Sequence, residues 1–179
     1  MPLKLKKIVI TGPESTGKST LCEQLAMHFN TMWVPEFARK YLIEIGRSYN
    51  YNDLITIAKG QLDEEDSIAA SLNAPVLFID TDMYVMKVWC EYVYNQCHPF
   101  ILNEIVNRHY DGYLLCNTDL PWVKDELREY PDPKTRKHLY LMYKDLLVNQ
   151  TTPWYDIHGD YDERLQRAIQ SVEQLMINN

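Results

Sequence analysis

Several features that mark particular protein classes are missing from this sequence. The four cysteines include no C-x-x-C pair, so neither a zinc site nor a disulfide framework is indicated. No apolar run approaches the ~20 residues of a membrane-spanning helix. The apolar segment 8–10 is too short for a secretory signal. These absences predict a soluble, cytoplasmic protein without a membrane partner.

Clustered positive charge is missing as well. The formal net charge is −7, from 18 Lys and Arg against 25 Asp and Glu, and no basic tail or stripe is present. A protein that binds nucleic acid neutralises its phosphates with clustered Lys and Arg. The sequence therefore predicts no nucleic-acid partner. It leaves open whether the protein forms a homo-oligomer.

The pattern of apolar residues predicts an α/β fold. The 179 residues are 46% hydrophobic and 24% charged, which is typical of one globular domain spanning 1–179. Stretches of helical periodicity alternate with short apolar segments at 7–11, 32–34, 76–79, 112–116 and 154–157. Such alternation predicts a three-layer sandwich with a five-stranded parallel sheet and helices on both faces. The acidic run 63–66 is expected on the solvated face of a helix.

Residues 12–19 carry the strongest motif. Their sequence, Gly-Pro-Glu-Ser-Thr-Gly-Lys-Ser, matches G-x-x-x-x-G-K-[ST] between a predicted strand and a predicted helix. Glycines let backbone N–H groups wrap phosphates at a helix N-terminus. Lys18 should reach the β- and γ-phosphates of ATP, and Ser19 should ligate Mg²⁺. The predicted nucleotide contacts are Gly12, Glu14, Ser15, Thr16, Gly17, Lys18, Ser19 and Thr20.

Two aspartates follow the apolar run at 76–79. Asp80 is the predicted Walker-B carboxylate, which would bind the metal beside Ser19. Asp82 is predicted to act on the substrate, because carboxylates at strand ends face the binding crevice of open α/β sheets. The alternative for both residues is to cap the following helix.

Glu36 and Arg39 follow the second predicted strand, on the same side of the sheet. Glu36 can accept the proton of an attacking hydroxyl. Arg39 would hold that carboxylate or meet the transferring phosphoryl group. The alternative is an i, i+3 ion pair on the helix surface.

The segment after the fourth predicted strand has the composition of a lid. Residues 117–137, the lid segment, have weak periodicity and contain Asp125, Arg128 and Arg136. Phosphoryl transfer needs cations that close on the phosphates when substrate is bound, a role that suits both arginines. The alternative is a solvated loop.

Two tryptophans follow strand ends, where an aromatic face can stack on a base. Trp89 and Trp122 are therefore predicted to contact the substrate, together with Asp125. Core packing is the alternative for both rings.

The motifs together identify a family resemblance. The segments are Gly12-Pro-Glu-Ser-Thr-Gly-Lys-Ser-Thr20, Pro35-Glu36-Phe37-Ala38-Arg39, Phe78-Ile79-Asp80-Thr81-Asp82 and Asp119-Leu120-Pro121-Trp122-Val123-x-Asp125-x-x-Arg128. This series resembles the ribosylnicotinamide kinase domain of the NadR family, nearly from end to end. Gly159 to Leu165 resembles the turn that borders the adenine in that family, which implies contacts from Asp160 and Tyr161.

The resemblance implies a kinase that moves the γ-phosphate of ATP to the 5′-hydroxyl of nicotinamide riboside, giving nicotinamide mononucleotide. The sequence has no H-x-G-H nucleotidyltransferase signature. Adenylyl transfer and DNA binding, which other domains supply in that family, are therefore not expected. A kinase of another small metabolite or deoxynucleoside is one alternative. An ATP-binding regulatory module with little turnover is another.

Overall fold

A parallel sheet of five strands lies at the centre of the fold. A computed structural model describes residues 4–177. The strands are β1 (Lys6–Thr11), β2 (Trp33–Val34), β3 (Val76–Asp80), β4 (Gly112–Cys116) and β5 (Trp154–Ile157). Their order across the sheet is β2-β3-β1-β4-β5, and every neighbouring pair is parallel. The five predicted strands and their parallel arrangement are confirmed.

Seven helices of the described chain cover the sheet. They are α1 (Lys18–His28), α2 (Phe37–Ile45), α3 (Tyr51–Ser71), α4 (Met83–Tyr94), α5 (Pro99–Asn107), α6 (Pro133–Val148) and α7 (Tyr161–Ile177). Within residues 4–177, none of these helices has the length and apolar character needed to cross a membrane.

The central strand shows why the helices form two layers. Successive side chains of a strand point to opposite faces of the sheet. Ile8 and Ile10 pack with α1 and α7, whereas Val9 packs with α4 and α6. All three side chains are fully buried. The predicted three-layer sandwich is therefore confirmed.

The acidic run 63–66 differs from the prediction, because Glu65 points inward. Glu65 is only 1% exposed and lies on the buried face of α3 with Leu62. Lys7 Nζ donates to its carboxylate at 2.8 Å, and the Tyr110 hydroxyl donates to it at 2.9 Å. These partners compensate the buried charge, so the helix tolerates a carboxylate at a core position.

The sheet order brings the predicted site residues to one edge. β1 lies between β3 and β4, with Ile10 opposite Asp80 and Thr11 opposite Leu115. Ligands of open α/β sheets bind outside the carboxyl ends of the strands, where the chain departs in opposite directions. The loop after β1, the end of β3 and the lid segment after β4 therefore meet at this edge.

Candidate active site

The loop between β1 and α1 has the backbone conformation of a phosphate-binding cradle. Gly12 and Gly17 have φ values of 131° and 78°, in the region that favours glycine. A Cβ on Gly12 would lie 2.7 Å from the carbonyl oxygen of Cys116, so no side chain fits there. The loop leads directly into α1, whose N-terminal dipole favours an anion.

All the loop residues predicted to contact nucleotide line one cleft of about 880 Å³: Gly12, Glu14, Ser15, Thr16, Gly17, Lys18, Ser19 and Thr20. Lys18 Nζ donates to the carbonyl oxygen of Pro13 at 2.9 Å, and Thr16 Oγ1 donates to the same oxygen at 2.7 Å. The Lys18 ammonium group is therefore held against the loop, where it can neutralise a bound anion.

Asp80 and Ser19 form a candidate magnesium site. Ser19 Oγ donates to Asp80 Oδ2, whereas the buried Asp80 Oδ1 has no hydrogen-bond partner among the described residues. Burial and the charge of Glu36 raise the pKa of Asp80 to about 7, and the Lys18 cation opposes that shift. A carboxylate oxygen without a partner, beside a hydroxyl group, is a suitable ligand for Mg²⁺. These residues therefore fit the predicted metal role.

Asp82 takes the capping role that the sequence left open. Its Oδ1 accepts from the backbone N–H of Tyr84 at 3.2 Å and of Val85 at 3.4 Å, at the start of α4. The carboxyl group is buried, and burial raises its pKa to about 7. Asp82 lines a separate small cavity with Tyr113 and is absent from the described wall of the cleft. This position gives no support to its predicted contact with substrate.

Glu36 and Arg39 both line the cleft, and they do not form the i, i+3 ion pair that was the alternative to a functional role. Glu36 is half-buried at the N-terminus of α2, near enough for its charge to act on Asp80. Arg39 makes a bidentate ion pair with Asp125 instead. One of its two hydrogen bonds joins Arg39 Nη1 to Asp125 Oδ1 at 3.2 Å. Asp125 therefore joins the lid segment to α2. Its predicted contact with the acceptor stays a prediction.

The lid segment is fastened to the phosphate-binding loop. The Glu14 carboxylate accepts from the backbone N–H groups of Glu129, at 2.9 Å, and of Tyr130. Ser15 Oγ accepts from the backbone N–H of Val123 at 3.0 Å. Loop residues predicted to contact nucleotide therefore also hold the lid.

The two predicted lid arginines differ in position. Arg136 lies in the first turn of α6, is 4% exposed, and donates to the carbonyl oxygens of Ser15 at 3.0 Å and Leu120 at 3.3 Å. Arg128 is half-buried, lines the cleft and donates to the carbonyl oxygen of Val123 at 2.6 Å. Arg136 therefore ties the loop to the lid, whereas Arg128 faces the space where ligands would bind.

A second part of the cleft wall is aromatic. Its rings belong to Tyr49, Trp89, Tyr92, Tyr94 and Tyr130. Tyr49 and Trp89 meet edge to face with centroids 5.0 Å apart, and Tyr92 and Tyr130 meet similarly at 5.3 Å. The carboxylates of Glu36, Glu126 and Glu129 line the same cleft. Such a wall suits a flat ligand with positive charge.

The two predicted base-stacking tryptophans are separated in the fold. Trp89 lines the cleft, whereas Trp122 is absent from its described wall. The Trp122 ring instead packs on Arg136, whose guanidinium carbon lies 5.7 Å from the ring centroid. Its position does not support a contact with the acceptor base.

The start of α7 lies next to the phosphate-binding loop. A Cβ on Gly17 would be 3.6 Å from the Tyr161 ring, which is 48% exposed. Asp160 Oδ1 accepts from the backbone N–H of Glu163 at 2.9 Å, and so caps the helix. Tyr161 therefore lies beside the phosphate-binding loop. Neither Tyr161 nor Asp160 belongs to the described wall of the cleft, and adenine contact stays a prediction for both residues.

Arg164 is a residue whose importance the sequence did not reveal. It is 3% exposed and donates to the carbonyl oxygens of Thr16 at 2.8 Å, Asn117 at 2.9 Å and Gly159 at 2.8 Å. It also pairs with Asp119. One guanidinium group thus joins three segments around the site. The sequence feature that could have indicated a buried role is the spacing of Arg164, which falls in helical register with the apolar residues of α7.

The fold and this site define a P-loop nucleotide-binding domain. The chain belongs to the AAA domain family, whose model matches residues 7–164. Two curated relatives, the trifunctional NAD biosynthesis/regulator proteins NadR of Salmonella typhimurium and Escherichia coli, are each 31% identical to it. The alignments cover 98% of this chain and 44% of each relative. The chain therefore spans less than half the length of these relatives.

Solved structures give the same picture of the fold. A crystal structure of NadR protein in complex with NR has a TM-score of 0.81 and 22% identity, and covers 97% of this chain and 50% of that one. Thymidylate kinase from Candida albicans has a TM-score of 0.69 and 14% identity, with coverages of 98% and 96%. The resemblance to the NadR family is confirmed, and the fold is that of ATP-dependent P-loop kinases.

Proposed function

We propose that the protein is an ATP- and Mg²⁺-dependent kinase that phosphorylates the 5′-hydroxyl of nicotinamide riboside. The observation that carries this proposal is the composition of a single cleft. Its wall combines the whole phosphate-binding loop with aromatic rings such as Trp89 and with the carboxylate of Glu36. A donor of phosphate and a flat acceptor can therefore share one enclosure. A NadR protein has been crystallised in complex with NR, and the 31% identity of this chain to two NadR proteins supports this choice of acceptor.

The donor half of the proposed mechanism depends on charge. Lys18 and the N-terminus of α1 bind and orient the β- and γ-phosphates. Ser19 and Asp80 would hold Mg²⁺, whose charge offsets that of the phosphates. Arg128, which lines the cleft, stabilises negative charge on the transferring group. Positioning and charge stabilisation supply nearly all of the rate in such transfers.

The acceptor half depends on orientation. Glu36 lines the cleft near Asp80 and orients the 5′-hydroxyl or accepts its proton. Arg39 holds the lid through Asp125 while the acceptor is bound. Arg136 donates hydrogen bonds to both the phosphate-binding loop and the lid, so it positions them and its effect on transfer is indirect.

The charge of the acceptor explains the composition of the pocket wall. Nicotinamide riboside carries a fixed positive charge on its ring nitrogen, whereas common nucleosides have neutral bases. Trp89 and the neighbouring tyrosines offer π faces, and Glu129 offers a carboxylate. Cation–π contact contributes roughly 0.5–2 kcal/mol, depending on desolvation. The pocket therefore favours the cationic base.

A coupled assay of ADP release with a panel of nucleosides tests the proposal. We expect nicotinamide riboside to stimulate release more than any deoxynucleoside, with Lys18→Ala as the control for contaminating kinases. Stimulation by another acceptor only would replace nicotinamide riboside and keep the kinase assignment. Stimulation by none would indicate an ATP-binding module with little turnover and would overturn the proposal.

A further inference from the structure

The phosphate-binding loop carries a carboxylate at Glu14, where ATP would bring more negative charge. Like charges in one site repel each other, so this residue is costly unless it has another role. The Glu14 side chain is half-buried and turned to the lid, where it accepts the backbone N–H groups of Glu129 and Tyr130. Its hydrogen bonds are therefore made to the lid and not within the loop.

Those two lid residues also contact the aromatic part of the cleft wall. The Tyr49 hydroxyl donates to Glu129 Oε2 at 2.8 Å, and Trp89 Nε1 donates to the Tyr49 hydroxyl oxygen at 3.0 Å. The Tyr130 ring meets the Tyr92 ring edge to face. Hydrogen bonds on either side of Glu129 thus connect the phosphate-binding loop to the Trp89 ring. This ring belongs to the aromatic part of the cleft wall, called the acceptor wall below: Tyr49, Trp89, Tyr92, Tyr94 and Tyr130.

We propose that Glu14 is a positioning residue that assembles the acceptor pocket through the lid. Its carboxylate fixes the backbone at residues 129–130, the Glu129 side chain then orients Tyr49, and Tyr49 orients the Trp89 ring. Glu14 acts through this relay and needs no contact with the acceptor. Because the same residue lies in the phosphate-binding loop, the relay links the two halves of the cleft.

The hydrogen-bond partners of Glu14 agree with this role. Burial raises the pKa of its carboxyl group, and the hydrogen bonds from Tyr130 and Glu129 and the charge of Lys18 oppose that shift. The lid bonds thus favour the ionised form that accepts both N–H groups. Charged acceptors make stronger bonds than neutral ones, so the lid is held firmly at this point.

The first test uses the protein without ligands. Labelling with 5-fluorotryptophan gives a ¹⁹F resonance for each of the four tryptophans, and Trp89→Phe assigns the one of interest. We expect Glu14→Ala to move the Trp89 resonance in the same direction as Tyr49→Phe. The resonances of Trp33 and Trp154, in strands β2 and β5, should not move. An unmoved Trp89 resonance, or equal movement of all four, would overturn the relay.

Matched variants separate the hydrogen bonds from other effects. Glu14→Gln keeps an oxygen that can accept from both N–H groups, so it should leave the Trp89 resonance close to that of the parent. Glu23→Ala removes an exposed carboxylate of α1 and should have no effect. Glu129→Ala breaks the relay one link further along. It keeps the test decisive if Glu14→Ala does not fold.

The second test rests on the proposed function, because it measures the affinity for nicotinamide riboside by calorimetry without nucleotide. Glu14→Ala and Tyr49→Phe should each weaken binding, on the order of 5-fold for one hydrogen bond. Residues in one network couple, so the double variant should be about as weak as the weaker single variant. Multiplied effects, of about 25-fold, would mean that Glu14 acts by a separate route and would overturn the relay. If the parent does not bind nicotinamide riboside, the proposed function fails and the fluorine test alone decides on the relay.

Discussion

The phosphate-binding loop and the acceptor wall are built in opposite ways. The loop is a continuous segment, residues 12–20, whose shape comes from glycine conformations and short contacts such as Thr16 to Pro13. The acceptor wall combines Tyr49 from the α2–α3 loop, Trp89 from α4 and Tyr130 from the lid segment. Hydrogen bonds across 40 and 80 residues of sequence hold it together. The glycine conformations of the loop are therefore local, although Arg136 and Arg164 also tie the loop to distant segments. The acceptor wall, in contrast, consists of residues from separate segments.

The largest expected effect concerns the loop. Lys18→Ala should lower kcat by about 10³-fold, because the ammonium group neutralises the phosphates in the transition state. The fold should be unaffected, since Lys18 Nζ bonds only to the adjacent Pro13 carbonyl among the contacts described. Steady-state kinetics and thermal unfolding without nucleotide measure the two effects. Normal turnover in purified Lys18→Ala would refute the role of the loop.

The variant Arg128→Ala tests whether the lid acts on the transferring phosphoryl group or on binding of the acceptor. If the Arg128 guanidinium meets the phosphoryl group in the transition state, Arg128→Ala should lower kcat and kcat/KM together, by about 10- to 100-fold. Steady-state kinetics with both substrates measure this. A raised acceptor KM with unchanged kcat would instead place Arg128 with the ground-state contacts of the acceptor.

Arg136 should behave differently from Arg128. Its buried guanidinium donates to the carbonyl oxygens of Ser15 and Leu120, so Arg136→Ala removes the donor of a buried and of a part-buried carbonyl oxygen. We expect a loss of about 1–3 kcal/mol in the free energy of unfolding, together with a lower kcat. Urea unfolding compared with Arg128→Ala, whose side chain is more exposed, measures the difference. Equal stability of the two variants would contradict the structural role of Arg136.

In metal-free protein, Asp80 should make the free energy of unfolding depend on pH. Its pKa is about 7 in the fold and about 4 in an unfolded chain. Between these values the folded state keeps a proton that the unfolded state has lost, so stability falls as the pH rises. Asp80→Asn carries no such proton. Its stability relative to the parent should therefore be greater at pH 8 than at pH 5, by about 2–3 kcal/mol. Urea unfolding with a chelator measures this, and equal differences at both pH values would contradict it.

The smallest expected effect tests the charge of the acceptor wall. Reduced nicotinamide riboside has nearly the same shape as the oxidised form but a neutral ring. The oxidised form should have a kcat/KM several-fold higher, as expected from a cation–π contact of roughly 0.5–2 kcal/mol. Trp89→Leu should reduce that preference. A preference for the neutral form would favour an ordinary nucleoside kinase.

The contrast between the two regions also explains what the sequence could reveal. Strand positions, the glycine loop and the pairing of Ser19 with Asp80 follow from local patterns, and the structure places them as expected. Tyr49 was not predicted, because a tyrosine in a short loop carries no local signal of its distant partner Glu129. Asp82 could be either a cap or a ligand, and only the tertiary arrangement distinguishes the two.

The positions of the individual tryptophans show the same difference between local and long-range contacts. Trp89 and Trp122 both follow strand ends, but only Trp89 lines the cleft within the part of the chain described. Trp122 lies in an irregular segment whose path is set by contacts with Arg136, Ser15 and Glu14. Periodicity cannot predict such a path, because it depends on side chains that are far apart in sequence.

In the proposed function, one cleft brings the phosphates of ATP to the 5′-hydroxyl of nicotinamide riboside. Phosphorus NMR of the purified protein with ATP, Mg²⁺ and nicotinamide riboside tests it directly. We expect a phosphomonoester signal of nicotinamide mononucleotide that grows in step with ADP and is absent with Lys18→Ala. Formation of ADP with inorganic phosphate alone, or no ADP above the Lys18→Ala control, would contradict it.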